Sequence, residues 1–187
     1  MRIASGVEKG RRIPTKVGAK TRPTTAKVRK AIFDTLYGKF EIEGARVLDL
    51  FAGTGSLGFE AASRGAASVV FVESDRQAVA EVRRAVADFK GRLECSLEVV
   101  AMDALAYVAK HTEPADLCFC DPPYGFEKWD ALLAAHPAQL VVAESNRELP
   151  ESGRYRRTTL KRYGDTVVSF FSWSGTEPGD GLQKEEN

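Results

Sequence analysis

In the run LCFCDPPYGF an aspartate, two prolines and a tyrosine stand in a row at the end of an apolar stretch. Proline lacks a backbone N–H and fixes φ, so Pro122 and Pro123 end a strand and stiffen the chain just past it. Asp121 then offers a carboxylate, Pro122 a free carbonyl and Tyr124 a flat ring. Two rigid acceptors suit an amino group, since each can take one of its hydrogens. Such a clamp aims the nitrogen lone pair and stabilises the positive charge that grows as nitrogen attacks an electrophile. Tyr124 can stack on an unstacked base. Taken alone, the same four residues also describe a plain strand-to-loop turn over a buried aromatic.

A second group with chemical potential is Gly53-Thr54-Gly55-Ser56-Leu57-Gly58, with Glu73 twenty residues beyond Gly53. The spacing G-x-G-x-x-G with a distant acid is a dinucleotide fingerprint, so a dehydrogenase is a competing reading. A turn that only lets a helix pack close to a sheet is a third. Asp49 discriminates, because a carboxylate just before the glycines repels a pyrophosphate. It does not repel a ligand bearing an amino group and a sulfonium, and S-adenosylmethionine carries both without phosphate. Glu73 is then placed to accept from two ribose hydroxyls, and Asp103 to meet the adenine amino group. Asp103 can equally serve as a helix N-cap.

These residues need a scaffold that brings strand ends together. Arg46 to Leu50, Ser68 to Glu73, Leu97 to Ala101, Leu117 to Cys120 and Leu140 to Ala143 read as strands. Helical patterns alternate with them at 57–63, 76–89, 104–110 and 126–134. That alternation predicts a parallel sheet with helices on both faces. Tyr155 to Tyr163 and Asp165 to Trp173 flank Gly164 and predict an antiparallel hairpin at the sheet's end. Ahead of the sheet, Thr24 to Tyr37 predicts a helix with Val28, Ile32 and Leu36 on one stripe, stopped by Gly38. The division expected is a basic arm or hairpin over 1–22, one domain over 23–174 and a frayed tail over 175–187.

Composition sets the background. Hydrophobic residues at 43% and charged residues at 28% describe an ordinary globular chain. No apolar run is long enough for a membrane span and the N-terminus has no apolar signal core, which predicts a cytosolic protein. Cys95, Cys118 and Cys120 lack metal-ligand spacing and read as reduced thiols, and no metal site is expected. Residues 1–30 hold ten basic side chains against Glu8 alone, a net +9, so with +1 overall the remainder carries −8. A basic segment on an acidic body suggests a polyanionic partner. A solvated, partly disordered arm is the other reading of the same charge. Arg11, Arg12, Lys20, Arg22, Arg29 and Lys30 are the expected contacts if the partner is a nucleic acid. Removing residues 1–20 is expected to spare the cofactor pocket. A second basic cluster, Arg154 to Arg162, is either a flank of the substrate channel or a solvated strand face.

VLDLFAGTGSLG, FVESD, MDA and DPPY, in this order and spacing, resemble the class I S-adenosylmethionine-dependent methyltransferases, which have a Rossmann-like fold. MRIASGVEKGRRI and then TRPTTAKVRKAIFDTL resemble the RsmD-type enzymes, which methylate N2 of a guanine in bacterial 16S ribosomal RNA. The resemblance spans Met1 to about Trp173. It implies cofactor contacts from Asp49, Phe51, Ala52, Gly53, Thr54, Gly55, Glu73, Ser74, Asp103, Ala104 and Asp121. It implies a catalytic corner of Asp121, Pro122, Pro123 and Tyr124, acting as a monomer on 16S ribosomal RNA or the assembling small subunit. Adenine-N6 methylation of DNA or RNA is the alternative within the class. A non-catalytic RNA-binding assembly factor is the alternative outside it.

Overall fold

The structure is a computed structural model, and it describes residues 1–13 and 25–175. In these residues the chain forms α1 (Ala26–Leu36), β1 (Arg46–Leu50), α2 (Ser56–Ser63), β2 (Ser68–Glu73), α3 (Arg76–Phe89) and β3 (Ser96–Ala101). Next come α4 (Ala104–Lys110), β4 (Ala115–Cys120), α5 (Trp129–Ala134), β5 (Ala138–Ser145), β6 (Tyr155–Tyr163) and β7 (Thr166–Trp173). The seven strands form one sheet in the order β3-β2-β1-β4-β5-β7-β6. β1 to β5 pair in parallel, and β7 pairs antiparallel with both β5 and β6.

Beyond β3 the chain returns past β2 and β1 to place β4 against the other side of β1. The order therefore reverses between β1 and β4, which opens a crevice at the carboxyl ends of those two strands. Both faces of the sheet are covered. α1, α2 and α3 pack one face through Phe33, Phe59 and Phe89 against Phe71, Phe119 and Phe170. α4 and α5 pack the other through Tyr107, Trp129 and Leu132 against Leu50, Cys118, Cys120 and Phe171. β4 feeds both cores, with Leu117 and Phe119 on one side and the free, buried thiols Cys118 and Cys120 on the other.

Local chemistry sets the helix ends. The Thr25 hydroxyl accepts from the Val28 N–H and caps α1, one residue inside the expected start. Asp75 caps α3 by accepting from the Gln77 and Ala78 amides. α5 starts at Trp129, not at Phe126 as the pattern suggested. The Phe126 N–H instead donates back to the Pro123 carbonyl at 3.2 Å, which holds the segment after the corner in a turn.

Residues 1–13 are tied into this body. Arg2 and Arg12 form an antiparallel bridge. The Ile3 N–H donates to the Arg11 carbonyl and the Ile13 N–H to the Met1 carbonyl. Ile3 and Ile13 are buried in the core beneath α1, and the Val7 N–H donates to the Ser63 carbonyl at the end of α2. A Cβ on Gly6, at φ +83°, would sit 1.7 Å from the Ser63 carbonyl oxygen, so only glycine allows this approach. The buried Glu60 carboxylate accepts from the Ala4 amide at 2.7 Å and from Arg64 at 2.8 and 3.0 Å. Arg29 completes this knot, with Nε 3.8 Å from Glu60 and Nη2 donating to the Arg2 carbonyl at 2.9 Å.

Candidate active site

β1 ends in a turn bent to an unusual degree. Phe51 has φ +58°, a conformation that bulky L-residues rarely adopt and that stores strain. Gly53 and Gly55 lie just beyond it at φ +53° and +70°. A Cβ on Gly53 would meet nothing closer than the Phe51 carbonyl at 3.8 Å, so the turn is open above it. Gly55 and Gly58 are confined instead. A Cβ on Gly58 would lie 2.3 Å from the Phe71 ring, which shows that this glycine brings α2 down onto β2. Ala52 anchors the turn by donating to the Val72 carbonyl, while Thr54 stays half-buried.

Three acids surround this turn. Asp49 is buried on β1 and accepts from the Gly58 N–H at 2.9 Å. Burial pushes its carboxyl up to about 8, with the nearby Asp121 and Glu73 charges adding and the Gly58 amide opposing. Asp49 is therefore mostly neutral at neutral pH, and the expected electrostatic rejection of a pyrophosphate does not hold in that form. A cation seated at the turn would draw the carboxyl back to its ionised state. Glu73, ending β2, accepts from Gly53 at 2.9 Å, Ser74 at 2.7 Å and Asp75 at 2.8 Å. Those amides occupy three of the roughly four acceptor positions of a carboxylate. Accepting from two hydroxyls would thus displace an amide, and accepting from one would not. Asp103 is exposed after β3 and caps α4 by accepting from Ala106 at 2.9 Å, with Ala104 buried behind it.

Asp121 comes directly after β4. Leu50 and Cys120 are register partners, so Asp121 stands level with Phe51 across the crevice. Asp121 and Pro122 are half-buried and Pro123 is exposed, while Tyr124 is 62% exposed. An aromatic chain joins the two loops. Phe51 meets Phe126 edge-on at 5.2 Å, and Phe126 meets Trp129 edge-on at 5.2 Å. The structure therefore brings the expected residues on β1 to β4 to one end of the sheet. It adds Glu144, which the sequence reading missed. Glu144 is buried on β5, one position past the Cys120–Ala143 pair and so beside Asp121. The signal was available, because an acid closes the apolar run VVAE as Glu73 closes VVFVE. One cavity of about 360 Å³ lies at the opposite end of the sheet, lined by Arg46, Ser68, His111 and Pro137, and holds none of these residues.

The expected RNA contacts are dispersed. Arg29 is corrected outright: it is 3% exposed and committed to Glu60 and Arg2, so it presents no charge to solvent. Its cause is the width of the apolar stripe on α1, which includes Phe33 four residues on. Arg11 pairs with Glu8 at 3.1 Å and lies over the Phe89 ring. Arg12 is exposed, and Lys30 is exposed but paired with Asp34. Lys20 and Arg22 fall outside the described residues. In the second cluster Arg157 and Arg162 both pair with Glu148, and Arg156 lies 3.8 Å from Glu151.

The strand order, the glycine turn after β1 and the acid that ends β2 define a class I methyltransferase fold. A solved structure, yhhF from Escherichia coli, matches it with a TM-score of 0.80 at 28% identity, covering 92% of this chain and 97% of that one. Residues 1–172 match the family model described as Conserved hypothetical protein 95, and the chain belongs to this family of RsmD-type ribosomal RNA methyltransferases. YlbH of Bacillus subtilis is 37% identical over 94% of this chain and 100% of its own length. A Haemophilus influenzae protein named ribosomal RNA small subunit methyltransferase D is 31% identical, with 91% of each chain covered. Among the described residues no helix is long and apolar enough to cross a membrane.

Proposed function

We propose that this chain transfers the methyl group of S-adenosylmethionine to the exocyclic N2 of a guanine in 16S ribosomal RNA, free or in the assembling small subunit. The observation that carries the reading is the placement of the Asp121–Tyr124 corner across the β1/β4 crevice from the glycine turn. The family relation to a small-subunit ribosomal RNA methyltransferase supports the substrate class.

The residues present fit the cofactor. Asp49 near the end of β1, Glu73 at the end of β2, and Asp103 and Asp121 just past β3 and β4 surround a turn that is open above Gly53, an arrangement that suits a ligand carrying positive charge. Asp49, Phe51 to Gly55, Glu73, Ser74, Asp103 and Ala104 would hold it. Bound there, S-adenosylmethionine supplies a methyl group activated by a sulfonium. Asp121 and the Pro122 carbonyl each accept one hydrogen of the guanine amino group, which turns its lone pair out of the ring system and toward the methyl carbon. The same acceptors stabilise the positive charge that develops on nitrogen. Asp121 then takes the surplus proton or passes it to water. Tyr124 stacks on the base and fixes its plane.

The test uses methyl-labelled S-adenosylmethionine and small ribosomal subunits from cells lacking this gene, with digestion to nucleosides afterwards. Label in N2-methylguanosine is the expected result. Label in N6-methyladenosine moves the chemistry to the alternative base, and no label with intact cofactor binding removes the enzymatic reading.

A further inference from the structure

The catalytic corner can hold one base, yet an RNA substrate brings neighbours that also need a surface. The exposed large apolar side chains among the described residues are Val7, Tyr37 and Tyr124. Tyr124 belongs to the corner. Tyr37, 85% exposed, has no such assignment. It stands at the carboxyl end of α1, where its backbone N–H donates to the Phe33 carbonyl while its ring leaves the body. Beside it runs a groove of about 350 Å³ between α1 and β6, lined by Asp34, Tyr37, Lys39, Lys161 and Tyr163.

The charges in this groove differ from those nearby. Arg156, Arg157 and Arg162 on β6 are paired with Glu148 or Glu151. Asp34, the groove's acid, is held by Lys30. Lys39 and Lys161 have no carboxylate within ion-pair distance among the described residues, and the Lys39 ammonium contacts only the Thr159 hydroxyl at 3.4 Å. A bare aromatic ring next to two uncompensated lysines is the make-up of a stacking platform with phosphate contacts.

Position agrees with composition. Lys161 pairs with Val168, and Val168 packs in the core beneath α1, so the groove opens on the α1 face of the sheet. Asp49 faces α2 on this same side. β6 lies three strand steps from β4, about 14 Å at the usual spacing of about 4.8 Å. That separation suits a strand whose target base sits at Asp121 and whose neighbours continue along the face.

We infer that the α1–β6 groove binds single-stranded RNA flanking the methylated nucleotide, with Tyr37 stacking on a base and Lys39 and Lys161 on phosphates. This rests on the reading of the chain as a ribosomal RNA methyltransferase. The test measures binding of small ribosomal subunits and of a fluorescent single-stranded RNA oligonucleotide against salt. Tyr37→Ala combined with Lys39→Gln and Lys161→Gln should weaken binding about tenfold or more. The log–log salt slope should become shallower by about 1.4, two single-strand phosphate contacts. The KM for subunits should rise while S-adenosylhomocysteine affinity and Tm stay as in wild type. Tyr37→Phe should retain binding, because its ring still stacks. Unchanged RNA affinity and slope in the triple variant overturns the groove. An equal loss in Arg156→Gln, whose charge is already paired, overturns it too by exposing a generic charge effect. Wild type that binds RNA yet transfers no methyl group fails the reaction instead, and the groove is then judged on the variant's affinity.

Discussion

Asp49 is the residue at which sequence and structure argue most directly. Its folded value of about 8 lies above its ordinary 3.8, so between these limits the folded state keeps a proton that the unfolded chain has released. Raising pH through that window therefore costs stability, up to about 1.4 kcal/mol per pH unit. Asp49→Asn retains an oxygen for the Gly58 amide and cannot ionise. Its stability relative to wild type should rise steadily from about pH 4 to about pH 8, as urea unfolding at several pH values would show. Parallel profiles for the two proteins would exclude the buried proton. The ammonium of S-adenosylhomocysteine should also favour the ionised carboxyl, so wild type should release protons on binding and bind tighter as pH rises toward 8. Across the crevice the roles separate. Asp121→Ala should lose at least about a hundredfold in methyl transfer, the usual scale for removing a transition-state acceptor. S-adenosylhomocysteine affinity should barely move. Retention of most turnover in that variant would refute the amino clamp.

The elements show why one glycine motif holds two kinds of glycine. Gly58→Ala would put a methyl 2.3 Å from Phe71 and 2.8 Å from Val69, forcing α2 away from β2. A cost of about 1–3 kcal/mol in stability is expected. Gly53→Ala meets open space, so only its left-handed backbone resists, at about 1–2 kcal/mol. That variant should lose cofactor affinity out of proportion to its Tm, whereas Gly58→Ala should lose Tm first. Equal Tm losses with equal affinities would dissolve the distinction. Such local features are also what made the elements readable. Apolar runs such as SVVFVE and the Gly164 turn mark strands and a hairpin by composition and period alone, and the strand cores fell where expected. The start of α5 was not readable, because the bond from Phe126 back to Pro123 belongs to the corner and has no periodicity. Arg29 was misplaced for a similar reason. Its burial requires Glu60, thirty-one residues away in the chain and visible only once α1 and α2 are packed.

At the scale of the whole molecule, residues 1–13 of the basic N-terminal segment are part of the structure's foundation, which changes how the segment's role can be tested. The sequence pointed to an arm that could be removed while the cofactor pocket survived. Ile3 and Ile13 are instead 2% and 0% exposed within the main core. Burying an aliphatic side chain contributes about 1.5–3 kcal/mol, so these two together supply about 3–6 kcal/mol. A typical domain has only about 5–15 kcal/mol in total. Deleting residues 1–13 also removes the Ala4 amide from Glu60 and the Arg2 carbonyl from Arg29, leaving buried charges short of partners. The truncated chain should therefore unfold far below the wild-type Tm and lose S-adenosylhomocysteine binding along with RNA binding. Charge substitution separates the two roles. Lys9→Gln with Arg12→Gln alters exposed side chains and leaves both isoleucines in place. If these residues hold single-stranded phosphates, the salt slope of RNA binding should fall by about 0.7 for each, with Tm unchanged. A truncated protein that keeps its Tm and cofactor affinity would show that the hairpin is dispensable to the fold. A double variant with an unaltered salt slope would show that the segment's exposed charge serves something other than RNA.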